Sequence, residues 1–311
     1  MTDSKTTALI VTWNGRELVG NCLRDLLAGR PHLPVMIVDN SSTDGTAEYV
    51  RRAFPQVEVV ESGANLGYGQ GCNYGLKRLM ARPGEYFLLV NQDARLRPDV
   101  LDRLEAAADA HPEMGILIPT NLTFEGDRID PGFEAALGDP RLCAYRADRA
   151  AGRLRDVYPA GILPGAVKLV RKATVERVGG YDPLFFMHGV EYDYHLRAEW
   201  HGWQSGLVPE AVVLHSYIDH RMEGRVLTFA QRLDRLTWLS LFRLKRMDST
   251  FARNVVVTLI RLAQETARAL GARDAAGVRI GLLAGARSLF LLPRVVRHRQ
   301  WSRRGQGAFF C

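Results

Sequence analysis

Short apolar runs alternate with amphipathic stretches over the first 120 residues. Runs of this length are typical of buried strands, and the predicted strands are Thr7–Val11, Val35–Val38, Val57–Val60, Tyr86–Val90 and Gly115–Ile118. Between them, apolar positions recur at helical spacing and predict helices over Glu17–Ala28, from near Thr46, over Cys72–Leu79 and over Val100–Ala110. Strands separated by such helices predict an α/β fold with a mostly parallel sheet covered on both faces.

The pattern changes along the rest of the chain. Residues 121–160 are rich in Gly, Asp and Arg and are predicted to form excursions over the ligand side of the sheet. A further helix is predicted to open near Glu191 and to continue through Trp200. From Thr228 onward the pattern is helical and rich in Leu and Val. We therefore expect a ligand-binding domain over residues 1–225 and a helical C-terminal region over residues 226–311.

Charge is distributed unevenly between these regions. The net charge of the 311 residues is +7, but residues 221–311 hold 18 Lys and Arg against 5 Asp and Glu. Residues 1–220 hold 23 against 29. The basic character therefore belongs to the C-terminal region, and no zinc-finger spacing or stacking-aromatic motif accompanies it, so we expect no nucleic-acid partner.

The C-terminal region allows two interpretations. Its apolar runs, such as Val255–Ile260 and Leu289–Leu292, are interrupted by arginines, and none reaches the eighteen or so residues of a spanning helix. Basic residues interleaved with Leu, Phe and Trp suit peripheral contact with an anionic membrane or a lipid-linked acceptor. Apolar helical stripes equally suit core packing or a homo-oligomer. Both interpretations stay open.

The cysteines and the N-terminus bear on compartment. Cys22, Cys72, Cys143 and Cys311 are scattered, without the spacing of a zinc site or a disulfide framework. The first residues lack the charged start and long apolar stretch of a secretory signal. We therefore expect a cytoplasmic protein, with any membrane contact peripheral on the cytoplasmic face.

Candidate chemistry lies at the ends of the predicted strands, where ligands bind in sheets of this kind. The first strand ends in Thr12, Trp13, Asn14 and Gly15, and the second in the segment from Asp39 and Asn40 to Asp44. Carboxylate, amide and hydroxyl groups there could bind a nucleobase and a ribose. The same residue types also cap turns, which is the alternative interpretation.

Two more segments follow the third and fourth strands. The glycine-rich stretch Gly63–Gly71 lets backbone approach a ligand and presents N–H groups to anions. It is no dinucleotide fingerprint, which belongs after the first strand. The fourth strand leads into Asn91, Gln92 and Asp93. One or two carboxylates suffice for Mg²⁺ or Mn²⁺ when substrate phosphates and water complete the shell.

Two carboxylates, Glu191 and Asp193, follow the aromatic stretch Tyr181–Met187. A partly desolvated carboxylate there could act as a general base, although a carboxylate at a helix start is also favoured by the helix dipole. His215 follows the apolar run Ala211–Leu214 and is either structural or a metal ligand.

The order of these motifs resembles family 2 glycosyltransferases with the GT-A fold, especially their rhamnosyltransferase-like branch. The matching pieces cover roughly residues 7–216 and read VTWNG, VDNSSTDGT, ANLGYGQGCNYGL, LLVNQDARLRPD, VGGYDPLFFMHGVEYDYHLRAEWHGW and VVLHS. Each piece is weak alone, but the joint order is specific.

The resemblance implies roles for individual residues. The implied donor-binding residues are Thr12, Trp13, Asn14, Asp39, Asn40, Asp44, Asn65, Gly67, Asn91, Gln92 and Asp93. Asp93 would bind the metal as the last residue of a DxD-like triplet, and His215 would complete that site. Glu191 lies where the family has its catalytic base, with Asp193 as the rival. The chain departs from the family pattern at Asn91, Val190 and Glu191, where acids or an aspartate are usual.

The resemblance implies a hexosyltransferase that inverts the sugar by single displacement with a divalent metal, Mg²⁺ or Mn²⁺. The implied donor is a dTDP-sugar, with dTDP-rhamnose leading, or a UDP-sugar, and the acceptor is a glycan, a lipid-linked molecule or a small molecule. The departures leave open a non-catalytic GT-A-like scaffold. A sugar nucleotidyltransferase is less favoured, because Thr12–Arg16 is a poor match to the glycine-rich basic loop of such enzymes.

Overall fold

The computed structural model describes residues 4–215 and 227–310. The predicted alternation of strands and helices is confirmed in its first half. The elements there are β1 Thr6–Thr12, α1 Arg16–Gly29, β2 Val35–Asp39, α2 Thr46–Ala53, β3 Glu58–Glu61, α3 Gly67–Leu79, β4 Tyr86–Asn91, β5 Arg95–Leu96, α4 Val100–Ala110 and β6 Met114–Leu122.

The middle of the chain adds strands and short helices. They are α5 Pro131–Ala136, α6 Cys143–Ala150, β7 Tyr158–Ala160, β8 Val167–Arg171, α7 Lys172–Val178, α8 Val190–Trp200 and β9 Gln204–Leu214. Residues 121–160, predicted as excursions, bury Phe133 and Tyr145 in the core. Asp130 caps α5 by accepting a hydrogen bond from the backbone N–H of Phe133.

The sheet is mixed, and its order is β3-β2-β1-β4-β8-β6-β9-β5, with β7 pairing β9. The four strands β1 to β4 pair in parallel, as predicted. Strand β8 then enters antiparallel between β4 and β6. Apolar side chains cover both faces, with Val19, Leu23 and Leu104 on one side and Leu76, Tyr194 and Leu241 on the other. The predicted α/β class with helices on both faces is confirmed.

Helix α3 begins at Gly67, five residues before the predicted start at Cys72. Gly67 has a φ of 74°, and a Cβ there would lie 2.5 Å from the carbonyl oxygen of Phe186. Glycine therefore lets the start of α3 pack against the loop that precedes α8. The glycine-rich stretch is therefore partly helical, and the anion contact predicted for it would fall to the first turn of a helix instead of a loop.

The C-terminal region is helical, as predicted. Its helices are α9 Phe229–Lys245, α10 Phe251–Gly271, α11 Ala275–Phe290 and α12 Leu292–Arg304. Thr228 and Gln231 form a capping box that begins α9. Leu241 and Leu244 of α9 join the core of the main sheet, so this region packs on the domain. The predicted boundary between residues 225 and 226 lies outside the described residues.

Within the described ranges, no single helix is long and apolar enough to cross a membrane. Helices α11 and α12, bent by 58° at their junction, meet the length and composition requirement only as a pair.

Candidate active site

The ends of β1, β2 and β4 bring the first predicted donor residues to one edge of the sheet. Thr12 pairs with Asp39, and Val11 pairs with Asn91, in the parallel register. Carboxyl ends of parallel strands form the edge at which ligands bind in α/β sheets. The predicted grouping of these residues is therefore present in the fold.

The loops after β1 and β2 are tied together by their own polar side chains. Asp39 accepts hydrogen bonds from the backbone N–H and the hydroxyl of Ser42, at 2.8 and 2.6 Å. Asn14 has a φ of 45° and accepts from the backbone N–H of Thr43 at 2.8 Å. Asp44 accepts from the backbone N–H groups of Arg16 and Thr46. The turn-capping role, which was the alternative interpretation of these residues, is therefore present. The same hydrogen bonds hold in place the loops that would contact a donor.

Asn40 and Asn65 act on the start of α3. The side-chain amide of buried Asn40 donates to the carbonyl oxygen of Gly67 at 3.0 Å. Exposed Asn65 accepts from the backbone N–H of Gly67 at 2.9 Å. The two asparagines therefore fix the position of Gly67 by binding its carbonyl oxygen and its backbone N–H.

Gln92 joins β4 to the loop after β1. Its Oε1 accepts from the Thr12 hydroxyl at 2.5 Å and from the Trp13 backbone N–H at 3.1 Å, while its Nε2 donates to the Trp13 carbonyl oxygen at 3.3 Å. A Cβ on Gly15 would lie 2.1 Å from Gln92 Oε1. Gln92 thus positions the loop, and glycine at 15 leaves room for it. The indole of Trp13 is left half exposed.

Asp93 and His215 approach each other although 122 positions separate them. Asp93 Oδ2 lies 3.7 Å from His215 Nε2, with Asp93 partly exposed and His215 nearly buried. The backbone N–H of His215 donates to the carbonyl oxygen of Leu122, which fixes the end of β9. A carboxylate and an imidazole at this separation fit one divalent cation. No group of three or more His, Cys, Asp or Glu suited to a metal occurs in the described part of the chain, so other ligands would have to complete the shell.

Glu191 lies in the first turn of α8 and forms an ion pair with Lys168 of β8. The Glu191 side chain is 22% exposed, whereas Lys168 is buried. The Lys168 ammonium also lies 5.5 Å from the ring centre of Tyr68. The first turn of α8 thus presents a carboxylate that is partly open to solvent and held from behind by a buried cation.

Asp193, two residues further on, is sealed among charged groups. It accepts from Lys245 Nζ at 2.5 Å and from Arg197 Nε at 2.8 Å. Lys245 also pairs with Asp182, whose other oxygen lies 2.6 Å from His298 Nδ1. We call Asp182, Asp193, Arg197, Lys245 and His298 the buried charge cluster; all five are buried.

Charge pairing dominates the electrostatics of this cluster. Burial alone raises the pKa of Asp182, but the Lys245 ammonium and His298 more than offset this and hold that pKa well below its usual range. The cluster connects α8 to α9 and α12 and so links the domain to the C-terminal helices.

Lys168 and Lys245 were missed in the analysis of the sequence. Lys168 interrupts the apolar run Ala166–Val170, and a lone cation within a predicted buried strand is a usable signal of a buried partner. Lys245 lies among arginines on a basic helix, so the sequence does not single it out as a buried cation.

Aromatic and apolar side chains flank the start of α8. Phe186 and Met187 are exposed in the loop before the helix. Trp238 of α9 lies 6.2 Å from the rings of both His188 and Tyr192. The first turn of α8, which carries Glu191, therefore has aromatic groups on both its own loop and α9 as neighbours.

Comparison with known proteins assigns a chain with this fold and sheet edge to the glycosyltransferases. A profile described as "Glycosyl transferase family 2" matches residues 7–177, and the chain belongs to this family. The chain is 32% identical over 212 residues to an N-acetylglucosaminyl-diphospho-decaprenol L-rhamnosyltransferase of Mycobacterium tuberculosis, with 61% of this chain and 68% of that protein covered. The predicted family and its rhamnosyltransferase-like branch are confirmed.

Solved structures with the same fold include a mannosyltransferase from Pyrobaculum calidifontis in complex with GDP-Man and Mn²⁺. It has a TM-score of 0.58 and 19% identity, and the match covers 92% of this chain and 87% of that one. S. aureus TarS residues 1–349 in complex with UDP has a TM-score of 0.53 and 15% identity, over 80% of this chain and 68% of that one. These likenesses confirm the GT-A type fold.

Proposed function

We propose that this glycosyltransferase transfers a sugar from a nucleoside diphosphate donor to a hydroxyl acceptor with inversion, by a single displacement with Glu191 as general base. The observation that carries the proposal is the contrast between the two candidate carboxylates. Glu191 is partly exposed and has one oxygen paired with Lys168, whereas Asp193 has both oxygens occupied by buried cations. Only the first has an oxygen that an acceptor hydroxyl can reach.

The donor would lie along the edge formed by the ends of β1, β2 and β4. Trp13, Asn14, Asp39, Asn40 and Asp44 would bind the nucleoside, with Gln92 and Thr12 fixing the loop beneath it. The N–H groups in the first turn of α3 favour a negative group such as a diphosphate. A dTDP-sugar is the leading donor, with dTDP-rhamnose first, because the curated relative is named as an L-rhamnosyltransferase. A UDP-sugar is second.

A divalent cation fits beside this donor. Asp93 and His215 would hold it, and the donor diphosphate and water would supply the remaining oxygens. Such an ion supplies positive charge against the leaving diphosphate. Of Mg²⁺ and Mn²⁺, the imidazole of His215 favours Mn²⁺, because nitrogen ligands suit the later transition metals better than Mg²⁺.

The protein's residues perform the remaining chemistry. An acceptor hydroxyl has a pKa far above neutrality, so it must lose its proton as it attacks the anomeric carbon. Glu191 takes that proton. Lys168 holds the Glu191 carboxylate in the first turn of α8. Attack opposite the departing diphosphate inverts the sugar without a covalent intermediate.

The acceptor we propose is lipid-linked. The curated relative is named for a diphospho-decaprenol acceptor, and this chain presents exposed apolar side chains in the loop that leads to Glu191. Phe186 and Met187 are suited to contact the apolar part of such a molecule.

Replacement of Glu191 tests the base assignment. Glu191→Gln should lower transfer by roughly two to four orders of magnitude while dTDP binding, measured by calorimetry, stays the same. Glu199→Gln, an exposed carboxylate on the same helix, is the matched control and should keep full transfer. If folded Asp193→Asn lost transfer and Glu191→Gln kept it, the roles would be reversed. Tight binding of GDP but of neither dTDP nor UDP would contradict the proposed donor.

A further inference from the structure

The outward side of the hairpin made by α10 and α11 is apolar. Large aliphatic and aromatic side chains are exposed along both helices, and Phe290 is 85% exposed. We call these residues the apolar face: Val256, Leu259, Ile260, Leu270, Leu282, Leu283, Leu289 and Phe290. Large exposed apolar side chains gathered on one hairpin in this way mark an interaction site on a folded protein.

Helix α10 has three distinct sides. Buried Asn254, Thr258 and Leu262 lie on the first. Apart from Val257, which lies among the polar residues, the exposed apolar residues recur at spacings of three and four, from Ala252 through Leu259 to Leu270, and so share a second side. The exposed polar residues lie on a third: Arg253, Arg261, Gln264, Glu265 and Arg268. The apolar stripe is therefore separate from the core-facing side and is not explained by packing against residues 4–215 and 227–310.

The apolar stripe of α10 continues onto α11. A Cβ on Gly281 would lie 2.1 Å from the Thr266 hydroxyl, and one on Gly277 would lie 2.8 Å from Ala269 Cβ, so the helices pack antiparallel. At about 100° per residue, the stripe of α10 is offset from these contacts by roughly 90° in the direction of increasing residue number, and Leu282 and Leu289 of α11 by roughly 110° in the same sense. Because the helices run in opposite directions, these residues lie on one side of the hairpin. Leu283 and Phe290 are offset by roughly 210° and lie on the edge of α11 that faces away from α10.

The charge of the hairpin favours a lipid surface over a second copy. Residues 251–290 contain six arginines and two acidic residues, and Arg279 is exposed among the apolar residues of α11. A symmetric dimer would bring two hairpins of net positive charge together, with the Arg279 side chains among the apposed apolar residues, since a two-fold interface uses the same patch twice. An anionic lipid surface is complementary to both the apolar and the basic side chains.

We propose that the apolar face of α10 and α11 rests on an anionic lipid surface and holds the enzyme where its acceptor is carried. The inference deepens the proposed function, because it adds the surface through which a lipid-linked acceptor is reached. Helix α9 connects the apolar face to the first turn of α8, which carries Glu191. Its Leu233 packs with Leu262, Ile280 and Ala284 of the hairpin, and its Trp238 lies beside Tyr192 near Glu191.

Vesicle co-sedimentation of the full chain tests the surface without any nucleotide sugar or turnover. Binding is measured to vesicles of phosphatidylcholine alone and to vesicles with phosphatidylglycerol added. The double variant Leu282→Ser/Phe290→Ser removes two exposed residues of the apolar face. Leu18→Ser/Leu154→Ser, two exposed leucines outside the hairpin, is the matched control. Calorimetric dTDP binding and thermal melting of each variant report separately on the donor site and on folding.

The chain is expected to bind vesicles that contain phosphatidylglycerol and not vesicles of phosphatidylcholine alone. Leu282→Ser/Phe290→Ser should weaken this binding at least about tenfold, and the control variant should leave it unchanged. Arg279→Gln should weaken it further and reduce its dependence on salt. Absence of vesicle binding, or equal binding by the apolar-face variant, would overturn the proposal. A dimer in light scattering that the same variant disperses would assign the face to a second copy instead. If the unaltered chain did not bind dTDP, the proposed function would be contradicted, but the vesicle result would still test the lipid surface.

Discussion

Two regions of this glycosyltransferase use the same residue types in opposite ways. At the sheet edge, Asp39, Asp44 and Asp93 lie on short loops after strands, with backbone N–H groups, hydroxyls or an imidazole around them. In the buried charge cluster, Asp182 and Asp193 lie against Lys245, Arg197 and His298, away from solvent. The edge keeps acceptor groups available to a ligand, whereas the cluster pairs every charge.

The comparison shows that a carboxylate's role depends on what surrounds it in space. Glu191 and Asp193 are two residues apart on one helix, yet the first is partly open to solvent and the second is enclosed. Removing a charge from the cluster should therefore damage folding, while removing one from the edge should damage catalysis. The predictions below test that division, beginning with the largest effect.

Lys245→Met should lower the free energy of unfolding by about 3–5 kcal/mol, because two buried carboxylates lose a shared cation. Urea denaturation measures the change. Lys5→Met, which removes an exposed ion pair with Asp109, is the matched control and should cost about 1 kcal/mol or less. A Lys245 effect as small as that of Lys5 would show that the cluster is solvated rather than sealed.

Asp93→Asn should reduce transfer by about a hundredfold or more with little change in stability, because the cation would lose a charged ligand. Steady-state transfer rates across a Mn²⁺ titration measure this, with Asp102→Asn on the surface of α4 as the control. Full native activity in excess chelator would remove the metal from the mechanism.

The stability of the fold should fall as pH decreases from about 6.5 toward 3. Burial, and secondarily the Lys168 ammonium, lowers the pKa of His195 from its usual 6.5 to about 3. Between these values the unfolded chain binds a proton that the folded chain does not, so unfolding is favoured as acid is added. The cost is about 2 kcal/mol at pH 5. Denaturation at several pH values measures it, and His195→Gln should flatten the slope by about one proton. An unchanged slope would show that this histidine does not titrate as proposed.

Gln92→Ala should have the smallest effect, raising the donor KM by roughly tenfold with kcat nearly unchanged. The side chain would no longer hold the loop at Thr12 and Trp13, and each lost hydrogen bond costs about 1 kcal/mol. Donor titrations in the transfer assay separate KM from kcat. A fall in kcat at unchanged KM would instead place Gln92 at the reacting centre.

The amino-acid sequence by itself determined the alternation of strands and helices, the order of the motifs and the helical C-terminal region. Periodicity records which side of each element is buried, and the strand ends follow directly from it. The grouping of Thr12, Asp39 and Asn91 was predictable for this reason, since carboxyl ends of parallel strands meet at one edge. The start of α3 was missed because glycines obscure helical periodicity and favour a loop assignment.

Only the tertiary structure decided which charges pair. Lys168 reaches Glu191 across 23 positions, and Lys245 reaches Asp193 across 52. The pattern of apolar and polar residues in a segment indicates that a side chain is buried. It does not indicate which distant group contacts that side chain, because this depends on how the helices pack on the sheet. The choice between Glu191 and Asp193, two carboxylates in one turn of helix, therefore follows from packing that no local pattern records.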